Sequence, residues 1–307
     1  MRTSTKRWKA CDMLTIGLIN NMPTAAIQST ERHFRDVLYL AARGTEIDIQ
    51  WFRLAGARPA NYRRLEDLWD SSLDGLIVTG SEPRAVLLRD EPFWQPLTQT
   101  IEWAAQHTSS VIWSCLAAHA AVLYLDGIER RRHQEKIFGI FESVRMADHP
   151  ILANTQLIWR VPHSRWNDLA EDDLSASGYT VLAKSNEAGI DLFVKQVKRS
   201  LFLFIQTHPE YDVGTLMREY RRDITRFHGG EHDTYPKVPR NYFNNRTAAE
   251  LELISDIDAD ERRTRGLEVL EQAELPDGWE STAVQLYSNW LSYLATASHE
   301  KVPQATS

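Results

Sequence analysis

Residues 109–123 read SSVIWSCLAAHAAVL and join two patterns. The apolar run from Ser109 to Ser114 is typical of a buried strand, and the small apolar residues after Cys115 favour a buried helix. Such an elbow places its first residue at the carboxyl end of a parallel sheet, where open α/β folds bind ligands. It also places Cys115 at the positive end of a helix dipole, which favours a thiolate. Cys115 is therefore the first candidate for chemistry.

The alternation of strand and helix continues along most of the chain. Further strands are predicted at Leu14–Ile19, Ile47–Leu54, Asp74–Thr79, Leu157–Val161, Tyr179–Ala183, Ile190–Gln196 and Leu201–Thr207, and helices at Thr24–Ala42, Pro92–Gln106, Val213–Phe227 and Trp279–Ala295. This order predicts an α/β fold with a mostly parallel sheet flanked by helices. We expect an N-terminal segment (1–13), an α/β domain (14–243) and a C-terminal helical extension (244–307) packed on the same domain.

Composition excludes several classes of protein. The 307 residues are 43% hydrophobic, and 35 basic against 42 acidic side chains give a formal charge of −7, which argues against nucleic acid and anionic membranes as partners. Cys11 and Cys115 are too few for a disulfide scaffold or a four-ligand metal site, and Cys11 has no assigned role. No apolar run reaches the roughly 18 residues of a membrane-spanning helix, so we expect a cytoplasmic protein.

A second motif, Thr207-His208-Pro209-Glu210, follows the last strong strand. A thiol nucleophile needs a base and the base needs an orienting group, so Cys115, His208 and Glu210 form a minimal catalytic set. The alternatives are a buried structural cysteine with a capping histidine, or a metal site completed by His163 and His119. No glycine-rich phosphate loop is present, so neither phosphoryl transfer nor nicotinamide chemistry has support.

Two further segments carry candidate binding groups. Pro162-His163-Ser164-Arg165 reads as a loop after a strand, where Ser and Arg could hold a small carboxylate or amine. Arg222 lies in the charged run Glu219–Asp223, and guanidinium groups are common partners of substrate carboxylates. The alternative for such a run is a solvated helix face.

Together these motifs resemble the homoserine O-acyltransferase family of the succinyltransferase type, whose fold is similar to that of class I glutamine amidotransferases. The resemblance extends from about residue 14 to 295, and its specificity lies in the order and spacing of many motifs. In chain order these are Asn20-x-Met22-Pro23-Thr24, Asp74–Gly80, the Cys115 elbow, Lys136-x-x-Gly139, Pro162–Arg165, Glu187–Gly189, His208–Asp212, Thr215-Leu216, Glu219–Asp223, Pro239–Phe243 and Asn289–Leu291.

The resemblance implies a role for each matching residue. Cys115 would accept the acyl group, His208 would act as general base and Glu210 would orient it. Lys136, Ser164 and Arg222 fall on substrate-binding positions, and the backbone N–H groups of Leu116 and of Gly80 or Ser81 are the candidate oxyanion donors.

The implied reaction moves a succinyl group from succinyl-CoA, a co-substrate, to the hydroxyl of L-homoserine in methionine biosynthesis. The resemblance also implies small-molecule substrates, a homodimer, and neither a bound cofactor nor a metal.

The chain departs from the family pattern in two places. Leu116-Ala117-Ala118-His119 stands where the family often has Trp-Gly-Ala-Gln, which affects the oxyanion assignment. Arg84 stands where a glycine accompanies succinyl and a glutamate accompanies acetyl. A cation there could pair with the free carboxylate of a succinyl group, so succinyl-CoA is the expected donor. Alternatively, Arg84 points to solvent or contacts a CoA phosphate.

Other functions remain open at this point. The same site could use acetyl-CoA as donor, or serine as acceptor. A glutamine amidotransferase shares the Cys–His–Glu set but normally has a glycine-rich elbow and a synthetase partner domain, which this chain lacks. A binding homologue that has lost its chemistry is the third alternative.

Overall fold

The computed structural model describes residues 13–254, 259–276 and 278–300. Cys11, nearly all of the expected N-terminal segment, and residues 301–307 of the expected C-terminal extension lie outside the described residues. None of the described helices combines the length and apolar character needed to cross a membrane.

The described strands form one nine-stranded sheet in the order β2-β1-β3-β4-β9-β8-β7-β5-β6. From β2 to β9 neighbouring strands are parallel, and from β9 to β6 they are antiparallel. The parallel sheet that the sequence predicts is thus the first part of a mixed sheet. The strands are β1 (Leu14–Ile19), β2 (Ile47–Phe52), β3 (Gly75–Val78), β4 (Ser110–Ser114), β5 (Arg131–Arg145), β6 (Ile158–Asp168), β7 (Thr180–Ser185), β8 (Gly189–Val197) and β9 (Ser200–Ile205).

Helices cover both faces of the parallel strands, because apolar side chains of β4 point to both faces of the sheet. Val111 and Trp113 point into one apolar core, shared with the helices α2 and α3, whereas Ile112 points into a second core, shared with α1 and α8. The described helices are α1 (Ile27–Ala42), α2 (Trp94–His107), α3 (Leu116–Asp126), α4 (Glu171–Ala176), α5 (Thr215–His228), α6 (Asn245–Ile254), α7 (Ala259–Glu271) and α8 (Glu280–Glu300).

The helix α8 packs directly on the first strands of the sheet. A Cβ added to Gly75 on β3 would lie 2.5 Å from Leu294 Cδ1 and 2.8 Å from Trp290 Cζ2, so only glycine fits there. The buried Trp290 Nε1 donates to Ser110 Oγ on β4 at 3.0 Å. The last helix is therefore part of the same apolar core as β1, β3 and β4.

Two local predictions differ from the structure. Pro162–Arg165 lies within the strand β6 and not in a loop, and β5 was not predicted at all. Proline is tolerated in β6 because this strand is at the sheet edge and pairs only with β5, where Pro162 lies opposite Ile140. The sequence does not predict β5, because the first half of this strand is polar and mostly exposed. It lacks the alternation of apolar and polar residues that is typical of a half-buried strand.

Candidate active site

Cys115 stands at a strained elbow between β4 and α3. Its φ of 52° and ψ of −116° are rare for a residue with a side chain. The elbow is fixed by its N–H, which donates to Ile205 O on β9 at 2.7 Å, and by its carbonyl, which accepts from Ala118 N–H at 3.0 Å. The free thiol is partly exposed in a large open cleft. This is the geometry of a nucleophile elbow.

His208 follows β9, beside the end of β4. Its N–H donates to Pro162 O at 2.9 Å, and its Nδ1 lies 2.9 Å from Glu210 Oε1. The Cys115 sulfur lies close enough to this imidazole to raise its pKa. The carboxylate at Nδ1 leaves Nε2 available for the thiol, so the structure brings the three predicted catalytic side chains together.

The charge state of His208 follows from its neighbours. Burial disfavours the imidazolium, but the Glu210 carboxylate and the Cys115 sulfur outweigh it and hold the pKa of His208 well above its usual value. The imidazole also stacks on Tyr211, with ring centroids 4.2 Å apart and an interplanar angle of 15°. A protonated imidazole held in one orientation beside the thiol is placed for proton transfer.

Gly80 brings a second loop against the elbow. A Cβ at this position would lie 3.0 Å from Leu116 N and 3.3 Å from Cys115 Cβ, so a larger residue would push the two loops apart. Leu116 N–H is at the first turn of α3, where backbone donors point away from the helix. The three oxyanion candidates, Leu116, Gly80 and Ser81, therefore line the cleft around the thiol.

Glu219 on α5 connects the predicted binding residues, although it is not one of them. Its Oε1 accepts from Tyr211 Oη at 2.7 Å, and its Oε2 accepts from Ser164 Oγ. Lys136 Nζ and Arg222 Nη2 lie 3.6 and 4.0 Å from Oε2. Burial raises the pKa of Glu219, but Lys136, Arg222 and the two hydroxyls together hold it below its usual value.

The helix periodicity could have identified Glu219. Glu219, Arg222 and Asp223 are spaced i, i+3 and i+4, which places them on one face of α5. The side chains of Glu219 and Asp223 are only 13% and 14% exposed, whereas that of Arg222 is 46% exposed. The charged run is therefore a half-buried network facing the cleft, and the solvated-face alternative does not describe it.

Lys136 and Arg222 meet at Asp223. Lys136 Nζ donates to Asp223 Oδ2 at 3.0 Å, and Arg222 Nε and Nη2 both donate to Asp223 Oδ1, at 3.0 and 2.9 Å. Arg222 keeps part of its guanidinium open to the cleft. The network thus carries cations and carboxylates side by side, a suitable setting for a zwitterionic substrate.

Arg84 lies on the loop after Gly80 and faces the same cleft. The buried Glu91 carboxylate fixes this loop, because its Oε1 accepts from the backbone N–H groups of Arg84 and Ala85 at 2.7 and 2.9 Å. The Arg84 side chain is exposed, and none of the described carboxylates forms an ion pair with it. It therefore presents an uncompensated positive charge to the cleft.

The histidines considered as metal ligands have other surroundings. His119, which replaces the family's usual glutamine, lies with Nε2 2.7 Å from Gln206 Oε1, and burial lowers its pKa to about 3. His163 is buried edge-on against Phe141, with ring centroids 5.1 Å apart. Over the described ranges, no three His, Cys, Asp or Glu side chains are grouped to hold a metal ion. These residues give the metal-site alternative no support.

Comparison with known proteins decides the family. A family model described as homoserine O-succinyltransferase matches residues 1–300. The chain belongs to the homoserine O-succinyltransferase family. Among curated members, the homoserine O-succinyltransferase of Rhodopseudomonas palustris is 42% identical over 95% of this chain and 92% of its own, and that of Methylorubrum extorquens is 41% identical over 92% and 87%.

Solved structures related to this homoserine O-succinyltransferase family member show the fold. A glutamine amidotransferase from Thermotoga maritima matches with a TM-score of 0.51 at 14% identity, over 92% of this chain and 98% of its own. One from Methylobacillus flagellatus matches with a TM-score of 0.50 at 14% identity, over 91% and 94%. The predicted family, acyltransferase class and glutamine amidotransferase-like fold are therefore confirmed.

Proposed function

We propose that this enzyme transfers a succinyl group from succinyl-CoA to the hydroxyl of L-homoserine, a step of methionine biosynthesis, through an acyl thioester on Cys115. The observation that carries the proposal is the strained Cys115 elbow beside the hydrogen-bonded His208–Glu210 pair. The names of the relatives support the two substrates. Homoserine O-succinyl transfer implies acyl-CoA as co-substrate, and no residue of the mechanism requires a metal.

In the first half-reaction, the Cys115 thiolate attacks the thioester carbonyl carbon of succinyl-CoA. A sulfur–carbon bond forms, and the carbonyl oxygen takes the negative charge beside Leu116 N–H and the Gly80 loop. When the intermediate collapses, the bond to CoA sulfur breaks and His208 gives its proton to the departing thiolate. The products are CoA thiol, succinyl-Cys115 and a neutral His208.

In the second half-reaction, His208 acts as a base. Acylation converts the Cys115 thiolate into an uncharged thioester, which removes one of the two negative groups that raise the pKa of His208. The neutral imidazole then takes the proton of the homoserine hydroxyl while its oxygen attacks the succinyl carbonyl. The thiolate leaves, and O-succinylhomoserine and the original Cys115–His208 pair result.

The two ends of the cleft suit the two substrates. The half-exposed Arg222 guanidinium is the proposed partner of the homoserine carboxylate, with Ser164 and Lys136 beside it. Arg84, which has no described carboxylate partner, is the proposed contact for the free succinyl carboxylate. An acetyl group has no charge for Arg84 to pair with, which favours succinyl-CoA as donor.

Mass spectrometry after mixing with succinyl-CoA tests the proposal. We expect one succinyl group on Cys115, its removal on adding L-homoserine, and no adduct on Cys115→Ser. Acetyl-CoA and L-serine in the same assay test the alternative donor and acceptor. No adduct over a range of pH would favour the binding homologue, and glutamine hydrolysis that depends on Cys115 would favour an amidotransferase.

On the family resemblance alone, we further propose that the enzyme acts in the cytoplasm as a homodimer. Sedimentation at several protein concentrations tests the dimer, and fractionation of cells tests the location. A monomer at all concentrations, or recovery with membranes, would contradict these two proposals.

A further inference from the structure

An exposed indole stands beside the proposed acceptor site. Trp166 lies two residues after Ser164 on the strand β6, so both side chains point to the same face of the sheet, about 7 Å apart along the strand. Trp166 is 41% exposed and lines the same cleft as Cys115. A large aromatic side chain exposed inside a cleft has unused apolar area and suggests a ring-shaped ligand.

A guanidinium group covers part of this indole. The Arg132 Cζ atom is 4.7 Å from the Trp166 ring centroid, a cation–π distance. The four residues after Arg132 form an irregularity of β5 opposite Trp166, because Arg132 pairs with Asn167 while Ile137 pairs with Arg165. The indole and the guanidinium therefore sit where the β5–β6 ladder opens.

Arg132 belongs to a basic run whose members have different environments. Arg131 points away from the cleft and pairs with Asp173 at 2.8 Å, whereas Arg130 and Arg132 both line the cleft. The Arg130 Nη1 atom is buried and has no hydrogen-bond partner among the described residues. Burial lowers the pKa of Arg130; Arg132 lowers it further, while Glu91 and Cys115 raise it. Arg130 is thus within electrostatic reach of the nucleophile.

Several other cations of the cleft already pair with carboxylates. Lys237 pairs with Glu135 at 2.5 Å, and Arg226 makes two bonds to Glu82, at 2.6 and 3.1 Å. In a chain of net charge −7, an anionic ligand must be held by local cations without such partners. Arg130 and Arg132 meet this condition within the described part of the chain.

We propose that Arg130, Arg132 and Trp166 form the binding site for the nucleotide half of acyl-CoA. The two guanidinium groups hold its phosphates, and the adenine stacks on the indole of Trp166. This inference rests on the proposed function for the identity of the ligand. It assigns the donor to the β5–β6 side of the cleft, with its thioester directed past Arg130 to Cys115.

The decisive experiment compares succinyl-CoA with succinyl-pantetheine, which carries the same thioester without the nucleotide. In Arg132→Ala and Trp166→Ala, we expect the preference for succinyl-CoA, measured as the ratio of the two kcat/KM values, to fall on the order of tenfold. Trp166→Phe keeps an aromatic face and should retain most of the preference. Arg131→Ala removes the same charge from the adjacent position outside the cleft and should leave the ratio at its original value.

Calorimetry with the phosphoadenosine diphosphate half of CoA gives a second readout that needs no turnover. We expect wild-type protein to bind this fragment and Arg132→Ala to bind it on the order of tenfold more weakly. The inference would be overturned if the ratio of the two kcat/KM values were unaltered in the variants, or if kcat/KM fell equally for both donors. It would also be overturned if the wild type did not bind the fragment. If the wild type forms no Cys115 adduct with either donor, the proposed acyltransferase function is wrong. Binding of the fragment still tests the nucleotide site independently.

Discussion

Replacing Tyr211 with phenylalanine separates the stacking of its ring from the hydrogen bond of its hydroxyl. The ring stacks on His208, and the hydroxyl donates to Glu219 Oε1 at 2.7 Å. Tyr211→Phe keeps the ring and removes the hydroxyl, so the general base stays supported while Glu219 loses one of its two hydroxyl partners. Tyr211 is thus a positioning residue between the catalytic pair and the acceptor site.

The loss of the Tyr211–Glu219 hydrogen bond determines how far Tyr211→Phe should lower kcat/KM for L-homoserine. A hydrogen bond to a charged group contributes about 1.5–3 kcal/mol, and Glu219 is buried, so the loss is not made good by bulk water. That range corresponds to roughly tenfold to 150-fold in a rate or binding constant. We expect kcat/KM for L-homoserine to fall within this range. Acylation of Cys115 by succinyl-CoA should stay within about twofold of wild type, because the acceptor pocket is empty at that stage.

Rapid-quench mass spectrometry measures the acylation rate, and steady-state kinetics with varied homoserine measures the second half-reaction. Tyr179→Phe is the matched control, since Tyr179 is also a buried tyrosine that donates to a carboxylate, Asp126 Oδ2 at 2.5 Å, but lies outside the cleft. Its kcat/KM should stay at the wild-type value. The positioning role would be refuted if Tyr211→Phe lowered the acylation rate and kcat/KM for L-homoserine equally, or lowered neither.

Three other changes test separate parts of the site. Arg84→Glu should lower the preference for succinyl-CoA over acetyl-CoA at least tenfold, roughly the value of one charge-assisted contact, and an unchanged ratio in competition assays would discard the Arg84 contact. Gly80→Ala should slow Cys115 acylation by on the order of 100-fold, because the new Cβ would lie 3.0 Å from Leu116 N; a normal burst would contradict the oxyanion assignment. Glu219 has a lowered pKa, so its network adds stability above the unfolded carboxyl pKa and loses it as pH falls through the folded value. Urea midpoints should therefore fall less steeply on acidification in Glu219→Gln than in wild type, and parallel curves would count against this linkage.

Sequence patterns predict the parallel half of the sheet well, because most of its strands are short apolar runs bounded by turns and β2 begins with alternating apolar and polar residues. The segment Gly75–Val78 and the segment Ser110–Ser114 are buried on both faces, and both appear where the apolar runs indicate. The antiparallel half of the sheet is harder to predict from the sequence. The first residues of β5 are charged because they line an open cleft, so function there overrides the hydrophobic pattern.

The candidate site was predictable where a residue has its own backbone signature. Cys115 at a strand-to-helix elbow is such a case, and every residue given a catalytic, binding, acyl-specificity or oxyanion role lines the cleft. Glu219 was missed because its importance comes from partners on three other segments: Ser164 on β6, Lys136 on β5 and Tyr211 after β9. The i, i+3, i+4 spacing on α5 indicates the helix face that carries Glu219, but the partners that meet there depend on tertiary structure.

The packing of α8 against β3 has a consequence for how the chain is made. Gly75 and Ser110 are covered by Trp290 and Leu294, which are translated long after them. The apolar face of the nascent sheet therefore stays open until α8 emerges from the ribosome, exposed to chaperones and to other unfinished chains. Burial of this face has to wait until α8 has been translated.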